Sequence, residues 1–304
     1  GAMLAWIYHC LGDAIEREVP KVVTGRMLYE ISRRVLTPYR TIDMHWMGFH
    51  TDKPINNWNP WIFSNILFAS ALCERELSAR EGDVERAMKG LDNYLKGYRE
   101  DGGCDEGPSY WGVACAAFFD CLELLYDLTG GAVDLFRGPG VKEMGEYILK
   151  FHISGDYFIN FADCPCRLLP DAFLMTRFGR RTGSEDLQSF GLSRLPEHPD
   201  FGRQTLYRAH KNFCEYAGGL TRRDGYRDPE TAVIESIGVA AMRQGEFFAA
   251  IKGGCNGESH NHNDVGSFVV YHKGEPLIID AGVDTYSAST FNDKRYTLWY
   301  MQSS

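Results

Sequence analysis

The chain changes texture near residue 200, and that change constrains its fold more than any other feature. Before it, apolar residues recur at helical spacing. After it, short β-branched and aromatic runs are punctuated by Gly-containing turns. Helices first and strands afterwards predict an α+β, multidomain chain with segregated α and β domains, not an interleaved sheet. Residues 4–195 are expected to form the helical domain. Residues 196–304 are expected to form an antiparallel, sandwich-like sheet domain. The stretch 177–201, rich in Gly, Ser, Arg and Pro, is the expected connection.

In the first half, Met27, Leu28, Ile31 and Val35 mark a helix that Pro38 should close. Trp61 to Leu72 is apolar nearly all round, as a buried helix is. Asp83 is placed to cap the next helix, whose stripe is Val84, Ala87, Met88, Leu91, Leu95 and Tyr98. Trp111 to Leu128 is again largely apolar, and Val141, Met144, Ile148 and Phe151 suggest one more helix. Such helices joined by short loops fit a double-layered ring of helix pairs or a plain bundle. Later in the chain, Thr231 to Met242, Glu246 to Lys252 and Ser267 to His272 read as strands. His272-Lys-Gly-Glu275 reads as a hairpin turn into Pro276–Asp280. No repeat or low-complexity segment is evident. The sequence stops just after an aromatic segment, at Tyr300-Met-Gln-Ser-Ser304, so the sheet domain is expected to continue.

Composition narrows the partners. The net charge is −9 with no long basic run, which argues against nucleic acid. No run approaches the ~18–20 apolar residues of a membrane span. Gly1-Ala2-Met3 reads as a cleavage scar. The nine cysteines are scattered, several in apolar helical segments, which suits thiols in a reducing, cytoplasmic compartment. A periplasmic or secreted form stays open because the native N-terminus is missing. Cys164-Pro-Cys166 lacks the second pair that a metal site needs. The abundant aromatics, 6 Trp, 16 Tyr and 18 Phe, serve core packing or sugar platforms.

Three segments could carry chemistry. The first is Asn56-Asn57-Trp58-Asn59-Pro60-Trp61. Asn59 before Pro60 reads as a helix N-cap, which leaves the Asn57 amide to donate to a carboxylate. The second is Asp101-Gly-Gly-Cys-Asp-Glu-Gly-Pro-Ser-Tyr-Trp111, a Gly-rich turn that sets Tyr110 as a potential acid or base. The third is Glu258-Ser-His-Asn-His-Asn-Asp-Val-Gly-Ser-Phe268 followed by Pro276-Leu-Ile-Ile-Asp-Ala-Gly282. His260 and His262, two positions apart, share one face if the backbone is extended, and Asp280 ends the next run. The residue types suit either a metal site or an acid/base site.

In this order the three segments resemble the heparinase II/III-like polysaccharide lyases, relatives of which act on heparan sulfate, alginate oligosaccharides and related uronic-acid glycans. Ser259 to Phe268 with Asp280-Ala-Gly282 carries the resemblance most specifically, Gly107-Pro-Ser-Tyr-Trp111 less so. It implies an incomplete (α/α) toroid followed by antiparallel sheets, with the site in the cleft between them. It implies a carbon–oxygen lyase that cleaves an anionic uronate polysaccharide or oligosaccharide by β-elimination. Asn57, Tyr110 and His260 would be catalytic. Asn56, Trp58, Trp111 and Arg295 would bind substrate, with Arg208 and Lys252 further candidates for its anionic groups. His262 and Asp280 match ligands of a structural Zn2+, whose third ligand would fall beyond Ser304. Some family members carry a His after the Asn pair where this chain has Trp58, which bears on the uronate epimer accepted.

Two other readings stand beside the lyase: a uronyl C5-epimerase using the same proton abstraction, and a non-catalytic glycan-binding module. The trio Asn57, Tyr110 and His260 speaks against the last. Oligomeric state is open, a homodimer being one form.

Overall fold

The computed structural model describes residues 1–18, 20–258 and 264–282, with the side chain of Arg203 outside them. In chain order the helices are α1 (Ala2–Glu18), α2 (Lys21–Ile31), α3 (Thr37–Thr41), α4 (Trp58–Cys73), α5 (Leu77–Gly97), α6 (Cys115–Leu128), α7 (Val141–Lys150), α8 (Ala172–Thr182), α9 (Glu185–Ser193) and α10 (Leu206–Ala217). The strands are β1 (His152–Ser154), β2 (Tyr157–Phe158), β3 (Thr231–Ile234), β4 (Val239–Gln244), β5 (Phe247–Lys252), β6 (Phe268–His272) and β7 (Glu275–Ile278).

The chain is helix-rich, with an antiparallel five-stranded sheet in its last quarter. Compactness groups its residues into two units that are not contiguous in sequence. One comprises 1–98, 113–136 and 197–221; the other comprises 99–112, 137–196 and 222–304. The expected division at 195/196 follows sequence texture. Compactness instead places 99–112 and 137–196 with the strands.

The first unit is all helical. Its centre is α4, which packs against α1, α5 and α6 and buries Phe63, Ile66, Leu67, Phe68 and Ala69. Burying a side chain such as Phe63 contributes about 1.5–3 kcal/mol. Its ring takes the space at Gly90 of α5, where a Cβ would lie 2.2 Å from it, so only glycine fits. Three sequence expectations are corrected in this unit. Pro38 does not close the early helix: a π-helical turn at Ser32–Leu36 leads into α3, which carries Pro38 in its first turn. The widened turn accommodates a residue that has no N–H to donate. Asp83 is no cap. It lies buried inside α5, where Arg40 Nε (2.7 Å), Arg40 Nη2 (2.6 Å) and Ser70 Oγ (2.6 Å) donate to its carboxylate. Asn59 is no cap either. It sits inside the first turn of α4, fully buried, and its Nδ2 donates to the carbonyls of Trp46 (2.9 Å) and Gly90 (3.1 Å).

The second unit joins the Gly-rich loop, α7–α9, the β1–β2 hairpin and the sheet. The 177–201 stretch expected as a connection is mostly helical. Asp171 caps α8 by accepting from Leu174 N (3.1 Å), and Ser184 caps α9 by accepting from Leu187 N (3.2 Å). Two of its glycines serve close helix packing, a Cβ on Gly179 lying 2.3 Å from Gln188 N and one on Gly191 2.6 Å from Thr176 N, while Gly183 ends α8 at φ +74°.

The sheet has the order β3-β4-β5-β6-β7, antiparallel throughout. The run Thr231–Met242, expected as one strand, folds into β3 and β4 around a short turn at Glu235–Ile237 that Gly238 closes at φ +61°. Alternation is clear. Val239, Ala241, Phe248, Ala250, Val269 and Tyr271 are buried on one face, while Met242, Phe247, Ile251 and Phe268 are exposed on the other. Pro276 lies on β7, which pairs only with β6 among the described strands, where its missing N–H is tolerated.

Candidate active site

The Gly-rich turn that carries Tyr110 is built by close approach. Gly102 (φ +80°) runs against α7, where a Cβ would lie 2.1 Å from the Glu143 carbonyl. Gly107 (φ +93°) packs on the Phe161 carbonyl at 3.0 Å by the same measure. Asp101 accepts from Ser236 N (2.9 Å), Ser236 Oγ (2.6 Å) and Gly103 N (3.1 Å). Burial would raise the Asp101 carboxyl, but these donors outweigh it and hold the group below its ordinary value. The acidic turn is thus a fixed one. Pro108–Gly112 then forms a single 3₁₀ turn with Tyr110 half-buried, and Ser109 Oγ donates to the Asp163 carbonyl at 2.5 Å.

Trp111 is corrected as a substrate platform. It is 2% exposed, its Nε1 donates to the Met144 carbonyl (2.9 Å), and its ring stacks on Phe178. Such a ring is core.

The His260/His262 motif is described at its two ends. His260 and His262 themselves lie outside the described residues, as does Arg295. At one end, Glu258 pairs with Lys252, a 3% exposed lysine whose Nζ also reaches the Ile237 carbonyl at 3.4 Å. Burial pushes the Glu258 carboxyl above its ordinary value, against the pull of Lys252. Lys252, expected to bind substrate anions, is therefore engaged inside the fold. At the other end, buried Asp264 accepts the N–H of Ala162 at 3.0 Å.

Asp280 follows β7. Its Oδ2 accepts from Ser267 Oγ (2.5 Å) and its Oδ1 from Gly282 N (2.8 Å). A carboxylate has about four lone-pair sites, so it can still bind a cation. Among the described residues no group of three or more His, Cys, Asp or Glu side chains could hold a metal. Cys164 and Cys166 form no such group. The Cys164 thiol is buried and pushed up to about 12 by that burial, whereas Cys166 is exposed.

One segment of this site escaped the sequence reading. Residues 160–164 touch all three described pieces. Asn160 Nδ2 donates to the Asp280 carbonyl (3.3 Å), Ala162 N to Asp264, and the Asp163 carbonyl accepts from Ser109. All five residues are buried. Ala162 has φ +57°, a left-handed conformation unusual for a residue with a Cβ. In the sequence the segment shows only an Asn and an Asp ahead of Cys164-Pro-Cys166, and of these only the cysteine pair suggests metal.

The Asn segment belongs to the first unit. Asn57 is the N-cap residue of α4, 4% exposed, without a side-chain capping bond. Asn56 is exposed and its Oδ1 accepts from Trp58 N (3.2 Å). Trp58 is 48% exposed, a ring open to a ligand. Arg208, expected to bind substrate, instead holds the buried Asp120 carboxylate (Nη2–Oδ2 2.5 Å) within the same unit.

No helix among the described residues is long and apolar enough to cross a membrane. In comparison with known families, residues 227–302 match the heparinase II/III-like, C-terminal family. The match spans the sheet, the His260/His262 motif and Asp280. No curated protein matches the chain.

Proposed function

We propose that this chain, heparinase II/III-like over residues 227–302, is a polysaccharide lyase that cleaves uronic-acid glycans by β-elimination. The observation that carries this reading is the second unit's construction. Tyr110 sits half-buried on a turn fixed by Gly107 and by the Ser109–Asp163 bond. Segment 160–164 joins that turn to the motif end at Asp264 and to Asp280.

In this reading the Asn57 amide donates to the uronate carboxylate, which lowers the cost of the enolate-like charge that develops as the C5 proton leaves. Tyr110 or His260 takes that proton. The C5–H electrons form the C4=C5 double bond, the C4–O bond breaks, and Tyr110 protonates the departing glycosidic oxygen. Asn56 and Trp58 line the substrate, Trp58 with an exposed ring face. The family's toroid would be supplied by the helices, and the partner is an anionic glycan. His262 and Asp280 would hold a structural zinc; when bound it would brace the fold. The described half of that pair, Asp280, has the lone pairs to do so.

The test is incubation with heparan, chondroitin, alginate and glucuronan substrates while following the ultraviolet absorbance of the unsaturated product. Product is expected from at least one, and a Tyr110→Phe variant should lose it. A panel giving no absorbing product would overturn the reading.

A further inference from the structure

We propose that Asn160 is a positioning residue for Asp280, an assignment that rests on Asp280 belonging to the functional site. Asn160 follows β2 and is 3% exposed. Its Nδ2 donates to the Asp280 carbonyl, and a Cβ on Gly282 would lie 3.1 Å from that nitrogen. The amide therefore touches the chain on both sides of Ala281. The Asp280 carboxylate is fixed separately, by Ser267 Oγ and by Gly282 N. Backbone and side chain of Asp280 are thus held by different groups, and Asn160 is the one that comes from a distant part of the sequence, 120 residues away.

The identity of the residue argues against a packing role. Asn160 lies among Phe158, Ile159, Phe161 and Ala162, all buried. Its Oδ1 is buried and accepts no hydrogen bond among the described residues. A buried acceptor in that state costs stability, and a leucine, with the same branched heavy-atom skeleton, would not incur it. A residue kept for stability alone would be apolar here. The donor half of the amide is what an apolar residue cannot supply, and that half is aimed at Asp280. The neighbouring Ala162 repeats the pattern, held at positive φ with its N–H directed to Asp264. Strain of this kind concentrates at functional sites.

The experiment compares wild type with Asn160→Leu and Asn160→Asp in three measurements. Hydrogen exchange of peptides covering 275–282 should rise about fivefold to tenfold in both variants, with β4 and β5 unchanged. The thermal midpoint of Asn160→Leu should stay level or rise, because the unmet acceptor is gone. On a uronate glycan the turnover number should fall about tenfold or more at unchanged KM. Unchanged exchange over 275–282 with turnover within twofold of wild type would overturn the assignment. A lower thermal midpoint with an unchanged exchange pattern would overturn it too, marking Asn160 as structural. Should Asn160→Leu fail to fold, Asn160→Asp, which keeps the shape but not the donor, decides. If the wild-type protein has no lyase activity, the proposed function fails while the exchange measurement still decides the role of Asn160.

Discussion

Asp264 accepts the backbone N–H of Ala162 across 102 residues of sequence, at 3.0 Å and out of contact with solvent. The bond anchors one end of the histidine motif and holds a non-glycine residue at φ +57°. Removing the acceptor in Asp264→Ala leaves a buried N–H unmet and should cost about 1–3 kcal/mol in urea unfolding. Ala162→Gly should be neutral or stabilising by up to about 1 kcal/mol, since glycine adopts that conformation without penalty.

Tyr110 stands on a turn held by Gly107 and by Ser109. Tyr110→Phe should lower turnover on a uronate glycan by on the order of 10²–10⁴. Asn57→Ala should lower it by on the order of 10²–10³. Asn57→Ala should cost less than about 1 kcal/mol of stability, since the Asn57 side chain makes no capping bond to α4.

The Arg208–Asp120 pair is buried on both sides. Truncating Arg208 removes the guanidinium that holds a buried carboxylate, so Arg208→Ala should cost about 3–5 kcal/mol by denaturant titration. Turnover per folded molecule should be unchanged, which separates this arginine from a substrate-binding one.

Acid sensitivity should report on Asp101. Its folded-state pKa is depressed, so its contribution to stability is present above the ordinary carboxylate value of about 4 and is lost as pH falls through the folded value. Asp101→Asn should flatten the loss of stability below about pH 4, measured by thermal unfolding against pH.

Thiol labelling should separate the cysteines by burial, because no disulfide joins any of them. Cys10, Cys166, Cys214 and Cys255 are exposed and should react in the native protein. Cys104, Cys115, Cys121 and Cys164 are buried and should react only on unfolding.

The sequence reading reached α4 and the sheet because their signals are local. A long apolar run, and β-branched runs set between glycine-containing turns, need no partner to be recognised. It placed Tyr110 on a glycine-fixed turn for the same reason. It missed what depends on distant residues. The glycines of α8 and α9 looked like breakers until Gln188 and Thr176 were seen packed against them. Asp83 and Asn59 have capping chemistry, but Arg40 in one case and two carbonyls in the other take up that chemistry instead. Trp111 looked like a platform beside Tyr110, although adjacent residues on a tight turn point to different surroundings. Segment 160–164 carries no periodicity at all, and its role is visible only through Ser109, Asp264 and Asp280.

The two compact units exchange the chain at 98/99, 112/113, 136/137, 196/197 and 221/222. No single cut can therefore release either one intact. A fragment ending near residue 195 would hold the Tyr110 turn but lack Asp264, Ser236 and Asp280, the residues that secure it and segment 160–164. During synthesis Asp101 of that turn must wait for Ser236, 135 residues later, before its donor exists. The early half should thus be the part most dependent on protection from aggregation until the sheet strands emerge.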